Sequence, residues 1–365
     1  MRPKNQRYAK TRKGRGAPTN AVPQRFNLQD REIDGDWLDE RDIIGDRASK
    51  LRTTVTTEFP KSIINYNKSP DLPFDRSINA YRGCEHGCIY CYARPTHAYH
   101  DLSPGLDFES KLFAKPNAAD LLRQTFAKPK YQPASIAIGT NTDPYQPIEK
   151  RYRITRQILE VMQETLHPVV ITTKSNRVAE DIDLLERLAA RQLTAVAISI
   201  TTLDGETARL LEPRAPAPAR RLEAVMKLSK AGIYVHVNIA PVVPEITDHE
   251  IEAIVSAASD HGASSVSFIP MRLPHEVAPL FEQWLETYYP ERRSKVMSII
   301  RQLRDGKRND PAFHSRMRGQ GPWADLIRTR LLIAARKAGL AKGKISLRTD
   351  LFRRPVISGS QLELF

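Results

Sequence analysis

The sequence predicts an α/β protein whose core is a partial (β/α)6 barrel, TIM-like, with N- and C-terminal extensions. Three observations lead there. From Ser77 onward, short apolar runs alternate with stretches that are apolar at helical spacing, the pattern of β/α units around a parallel sheet. Half of the segments after these runs are rich in Pro and Gly, as expected of rigid loops in a barrel that carries its chemistry at the carboxyl ends of its strands. All three cysteines of the chain, Cys84, Cys88 and Cys91, stand in the first of those segments.

Residues 77–81 are the expected first strand, 136–139 the second, 169–173 the third, 195–200 the fourth, 234–239 the fifth and 265–269 the sixth. Crossover helices are expected over 152–166, 178–191, 219–231 and 248–261, with each connection right-handed. The informative loops are then the cysteine segment, 139–147, 174–176, 199–202, 240–245 and 270–274. The core spans 76–273. Ahead of it, residues 1–25 form an expected disordered basic arm, with Arg2, Lys4, Arg7, Lys10, Arg12, Lys13 and Arg15 and no acid among the first twenty positions. Such an arm either binds phosphate nonspecifically or only solubilises the chain. Residues 26–75 are a polar extension with an acidic patch from Asp30 to Glu40 and an alternating run, 52–58, that suits a strand on the edge of the larger sheet.

Beyond the core, 274–358 reads as a helical extension: a helix over 279–303, a glycine-punctuated basic loop at 313–321, a helix over 322–338 and a strand at 345–351. Its cations with Phe313 and Trp323 suit a grip on a phosphate backbone and a stacked base. A solvated helical face with one aromatic packed inward is the alternative. Residues 359–365 form a tail.

At 365 residues and 41% hydrophobic, the chain can bury one large domain or two ordinary ones. A formal charge of +14 and a pI near 9.7 imply attraction to polyanions. No apolar run is long enough to span a bilayer and no apolar stretch follows the basic N-terminus, so a soluble, cytoplasmic protein is expected. Three clustered cysteines offer no disulfide framework, which agrees with a reducing compartment.

Cys84-Glu-His-Gly-Cys88-Ile-Tyr-Cys91 places three soft ligands on one tight loop. A structural zinc wants a fourth protein ligand, and no second cysteine pair exists to supply it. An iron–sulfur cube held by three cysteines keeps one iron open for a chelating small molecule. The alternatives are a zinc loop completed by His86 or His97, or three unrelated buried thiols.

The C-x3-C-x2-C spacing, with Tyr90 before the last cysteine and Tyr92 after it, resembles the radical S-adenosylmethionine (radical SAM) superfamily. Thr142-Asp-Pro-Tyr-Gln-Pro147, Thr173-Lys-Ser175 and Glu212-Pro-Arg-Ala-Pro216 narrow the resemblance to its spore photoproduct lyase-like branch, over roughly 76–273. The resemblance implies that Cys84, Cys88 and Cys91 ligate a 4Fe-4S cluster whose open iron binds S-adenosylmethionine (SAM). In that family an electron from the reduced cluster cleaves SAM to methionine and a 5'-deoxyadenosyl radical. It further implies Tyr90 and Tyr92 beside cluster and SAM, Thr140, Asn141 and Thr142 near the methionyl part, Lys174 at the SAM carboxylate, Ser199 near the ribose and Ala240 near the adenine. One departure stands out. Spore photoproduct lyase proper uses a further cysteine to give a hydrogen atom to the product radical, and here none exists. Tyr99 or Tyr145 are the candidates for such a relay, against the plainer reading of a hydrogen-bonded core tyrosine.

The last five residues, with Gln361, Leu362, Leu364 and Phe365, resemble the bacterial peptide that docks on the sliding clamp. The expectation is therefore a radical SAM enzyme acting on DNA or another nucleic acid in repair or modification, fed by a low-potential donor of the flavodoxin or ferredoxin type. Two other readings stand beside it: a radical SAM enzyme on a small molecule or protein, and a clamp-recruited iron–sulfur DNA-binding protein without turnover.

Overall fold

The computed structural model describes residues 14–20, 51–340 and 345–356. Its strands are β1 (Thr54–Thr57), β2 (Ile64–Tyr66), β3 (Arg76–Ile78), β4 (Tyr81–Arg82), β5 (Lys111–Ala114), β6 (Ile136–Ile138), β7 (Val169–Thr173), β8 (Thr194–Ser199), β9 (Tyr234–Val242) and β10 (Ser265–Pro270). The larger sheet has the order β10-β9-β8-β7-β6-β3-β2. From β3 to β10 the six neighbours pair in parallel, and β2 closes one edge antiparallel to β3. The edge strands β10 and β2 do not pair with each other, so the six-strand core is an open, partial barrel.

Nine helices matter here: α1 (Leu106–Ser110), α2 (Ala118–Ala127), α3 (Ile154–Glu164), α4 (Ile182–Ala189), α5 (Pro218–Lys230), α6 (Ile251–Asp260), α7 (Val277–Tyr288), α8 (Arg293–Gln302) and α9 (Gly321–Lys337). Crossover helices α3 to α6 each carry an apolar stripe three and four residues apart: Ile158 and Met162, Leu185 and Leu188, Val225 and Leu228, Ile251 and Ile254. These side chains are fully buried against β-branched strands such as Val169-Val-Ile-Thr-Thr173, each burial stabilising by about 1.5–3 kcal/mol. Among the described residues no helix is long and apolar enough to cross a membrane.

Several expectations need correction. The first strand ends at Ile78, because the Asn79 side chain accepts the Asn141 amide at 2.9 Å and turns the chain; Tyr81–Arg82 then pairs in a separate sheet of order β1-β5-β4. The run at 52–58 yields β1 in that small sheet, parallel to β5, and β2 takes the edge of the large one instead. The helix expected over 279–303 is two, α7 and α8, divided at Tyr289-Pro290, where the proline ring forbids continuation. Residues 345–351 form no strand. They run instead along the barrel's underside, where the Arg348 amide donates to Gln192 and Phe352 packs edge-on to Phe126 and His167. Trp323 is not a base-stacking platform: its indole donates to Asp248 and it packs against the core as α9 lies on α6. The acidic patch and the terminal peptide lie outside the described residues.

The largest revision concerns the basic arm, of which residues 14–20 are described. They form a strap laid on the cysteine loop and α1. The amides of Gly16 and Ala17 donate to the two carboxylate oxygens of Glu109 at 2.9 and 2.7 Å. Arg15 is buried and donates to the Glu109 and Leu51 carbonyls. Gly16 is required by contact, since a Cβ there would sit 1.7 Å from the Gly87 carbonyl oxygen. Beneath the strap, Glu109 pairs with Arg94 at 2.6 Å with neither side chain exposed. The remaining donors of Arg94 go to the carbonyls of Cys88, Gly87, Pro104 and Gly105. Arg94→Met should cost about 3–5 kcal/mol in chemical denaturation, because it strands a buried carboxylate. A loss under 1 kcal/mol would show that the pair does not hold this end of the fold together.

Candidate active site

The cysteine loop follows β4 and is fixed from several sides. The Cys84 amide donates to Phe108, the Gly87 amide to Cys84, the Ile89 amide to Leu211 and the Cys91 amide to Cys88. Gln146, from the loop after β6, is fully buried and reaches across: its carbonyl oxygen accepts the Glu85 amide at 2.9 Å and its amide donates to Gly83 at 3.1 Å. Cys84 and Cys88 are buried and Cys91 is half-buried. None of the three is in a disulfide.

Loops from successive strand ends meet the thiols. After β6 comes Gly139, whose φ of +90° and position against the Thr172 carbonyl admit no side chain. Asp143 then binds three elements together: it accepts the Thr173 hydroxyl at 2.6 Å and the Lys174 amide at 2.7 Å, and lies 3.4 Å from His86 Nδ1. Burial opposes its ionisation, yet His86 and these donors hold its carboxyl down to about 2. Beyond β7, the Lys174 ammonium lies over the Tyr90 ring, 5.7 Å from its centroid. The Tyr90 hydroxyl donates to Glu212, which also accepts the Thr201 hydroxyl at 2.8 Å and the buried Arg221 guanidinium. Burial again works against ionisation, and Arg221 with Lys174 outweighs it, leaving the Glu212 carboxyl at about 2.

The structure brings together most of the residues expected here. Tyr92, half-exposed, donates to the Thr140 carbonyl, and the Asn141 and Thr142 amides share the Asn79 side chain. Ser199 is buried and its carbonyl accepts Arg221; the Ala240 carbonyl accepts Thr201. Both therefore sit one bond from the network around Tyr90. The two relay candidates stand elsewhere. Tyr99 is 66% exposed on a 3-10 turn. Tyr145 is buried, donates to Asp181 at 2.8 Å and lines a polar cavity of about 420 Å³ with Glu149, Arg156 and Arg177. Asn79, Asp143, Gln146, Glu212 and Arg221 are site residues that sequence reasoning did not single out. Asp143, Gln146 and Glu212 lay inside the motifs that carried the resemblance, which was the available signal.

The donor set suits a cluster better than a single ion. His97 Nε2 faces the Lys111 carbonyl at 2.8 Å and His86 faces Asp143, so both imidazoles of the zinc alternative are turned to other partners. Among the described residues no three His, Cys, Asp or Glu donors gather as one metal ion would need. Burial pushes the Cys88 thiol up to about 12 and raises that of Cys84, the opposite of what a thiolate ligand needs; a bound cation reverses this by taking the thiolate directly.

Because the Glu212 carboxyl is depressed below its ordinary 4.5, its contribution to stability is present above that value and is lost as the pH falls toward about 2. Glu212→Gln should therefore flatten the acid-unfolding curve over that window, and cost about 3 kcal/mol near neutrality by leaving Arg221 uncompensated. Circular dichroism of both proteins along a pH series reads this; superimposable acid limbs would remove Glu212 from the electrostatic frame.

The radical SAM superfamily model matches residues 78–258, from the end of β3 into α6. An uncharacterized protein of Mycobacterium tuberculosis (strain H37Rv) is 35% identical over 240 residues, which is 64% of this chain and 71% of that one. The radical SAM Nalpha-GlyT isomerase of Pseudomonas phage M6 is 24% identical over 183 residues, 49% of this chain and 36% of its own. Among solved structures, a point mutant of spore photoproduct lyase superposes with a TM-score of 0.56 at 16% identity, over 78% of this chain and 79% of that one, a likeness of fold. With the matched span falling on the strands that carry the thiol loop and the loops converging on it, the chain belongs to the radical SAM superfamily and is an enzyme whose cofactors are a 4Fe-4S cluster and SAM.

Proposed function

We propose that this enzyme cleaves SAM reductively at its cluster and acts on DNA or another nucleic acid, in repair or modification. The observation that carries the first half is the position of Lys174, whose ammonium lies over Tyr90 and acts electrostatically on both Cys88 and Glu212. Cys84, Cys88 and Cys91 hold three corners of the cluster and leave the fourth for SAM. When bound, the cluster supplies the electron that splits SAM into methionine and a 5'-deoxyadenosyl radical. Lys174 pairs with the SAM carboxylate, the 140–142 loop borders the methionyl part, and Ser199 and Ala240 border ribose and adenine. Tyr90, pinned between Glu212 and Thr201, keeps that wall rigid. A reductant is required, and a flavodoxin- or ferredoxin-type donor fits.

The nucleic-acid half rests on charge: 56 Lys and Arg against 42 Asp and Glu, a net +14. The terminal Gln361, Leu362, Leu364 and Phe365 add recruitment to the sliding clamp. The competing reading, a small-molecule or protein substrate, is favoured only if retention on DNA is absent at low salt.

Anaerobic reconstitution should yield about four irons per chain and 5'-deoxyadenosine on reduction with SAM. Cys88→Ala should lose both, whereas Lys174→Ala should keep the iron and weaken SAM binding about tenfold or more, since it loses a contact to ligand alone. Tight zinc with no iron uptake would sink the cluster assignment, and unchanged SAM affinity in Lys174→Ala would return that lysine to solvent. For recruitment, removing residues 361–365 should abolish binding to purified clamp in a fluorescence titration without altering iron content. Equal binding by both proteins, or by neither, disposes of the clamp.

A further inference from the structure

Two aromatic rings flank Cys91 in sequence, and each carries a cation over its face. Tyr90 has Lys174, which acts electrostatically on the nearby Glu212 carboxylate. Tyr92 has Arg272, its guanidinium carbon 4.8 Å from the ring centroid. Arg272 follows β10, at the strand end where barrel chemistry gathers, and acts electrostatically on the same neighbourhood as Cys91.

What distinguishes Arg272 is that no carboxylate pairs with it. Among the described residues it makes no hydrogen bond and no ion pair. The charged and titratable groups facing it are Arg316, Arg304 and Asp71, together with Tyr92 and Cys91. Asp71 is already taken, accepting both arms of Arg316 at 2.7 Å. Arg304 is buried and spends its donors on the carbonyls of Pro270, Met271, Ser315 and Arg316. Three guanidiniums at the end of β10 thus meet two carboxylates, Asp71 paired with Arg316 and Asp310 acting on Arg304, and neither pairs with Arg272. Crowding like charges on a half-buried arginine is unfavourable unless an anion joins them. The guanidinium fork of Arg272 is the one left with all its donors available, and it stacks on a half-exposed tyrosine beside a cluster ligand.

We propose that Arg272, stacked on Tyr92, anchors a phosphate of the nucleic-acid substrate at the mouth of the barrel, as Lys174 anchors the SAM carboxylate on the other side of Cys91. This rests on the nucleic-acid reading given under Proposed function and assigns it a residue. A planar fork suits a phosphodiester, whose two unesterified oxygens accept in parallel. The local excess of positive charge answers the substrate's own.

The test uses the full-length, reconstituted enzyme and a short fluorescein-labelled single-stranded oligodeoxynucleotide, titrated by anisotropy over a salt series, with SAM binding measured alongside. Arg272→Met keeps bulk and removes charge; Arg272→Gln is the second variant, and each is read where its iron content matches that of the unaltered enzyme. Oligonucleotide affinity should fall about tenfold and the slope of log affinity against log salt should shrink by about one. SAM affinity and iron content should not change, and inorganic phosphate should compete with the oligonucleotide in the unaltered enzyme more effectively than in the variants. Equal affinity and slope in the variants would overturn the anchor while leaving the nucleic-acid reading intact. A loss of SAM affinity would also overturn it, assigning Arg272 to the SAM carboxylate. If the unaltered enzyme cleaves SAM yet does not bind the oligonucleotide at low salt, the nucleic-acid reading falls and the anchor with it.

Discussion

The buried ion pair between Arg94 and Glu109 is the constraint on which this end of the molecule depends. Two charges removed from water are costly, and the cost is met only when every donor and acceptor finds a partner. Here that condition is satisfied by backbone. Arg94 is spent on the carbonyls of the cysteine loop and of the turn before α1, and Glu109 on the amides of the strap. The pair therefore ties the strap, the cysteine loop and α1 to one point.

Around that point the site is an interlocked polar frame and not an apolar pocket. Three strand ends contribute groups that hold neighbouring loops: Asn79 after β3, Asp143 and Gln146 after β6, Thr201 after β8. Glu212 and Arg221 close the frame from the segment between β8 and α5. The parallel sheet matters because it delivers all these loops to one face, in an order set by strand neighbours alone. Tyr90 is locked to two of these groups, and Tyr92 to one backbone carbonyl with its face half-open. The inner wall is rigid and the outer ring is accessible.

Much of this was legible in the residues. Short apolar runs marked β7 to β10, with alternate residues of β7 and β9 buried, and three thiols on one loop left few chemistries. What escaped depended on pairing at a distance. Gly14-Arg15-Gly16 reads as a solvated basic stretch because nothing local shows that Glu109, about ninety positions away, is waiting for its amides. Arg94 and Glu109 look like ordinary charges until they are seen buried against each other. The small sheet escaped for a related reason: β4 has two residues and β5 four, too short for alternation to register. Trp323 and Phe313 had the same standing in the sequence, and only tertiary packing sends the first inward and leaves the second half-exposed on Arg316.

A ribosome delivers residues 14–20 well before Glu109 exists to receive them. The strap therefore seats late, after β4, the cysteine loop and α1 have formed. Closing a loop of that length is thermodynamically mild, since its entropy grows only with the logarithm of chain length, but such remote contacts form slowly. Until then the Gly87 carbonyl and the loop that bears the thiols have no strap over them. Once Gly16 is seated over Gly87 the passage is covered by backbone too close to admit a methyl group. Residues 14–20 are thus made some ninety positions before the carboxylate that seats them.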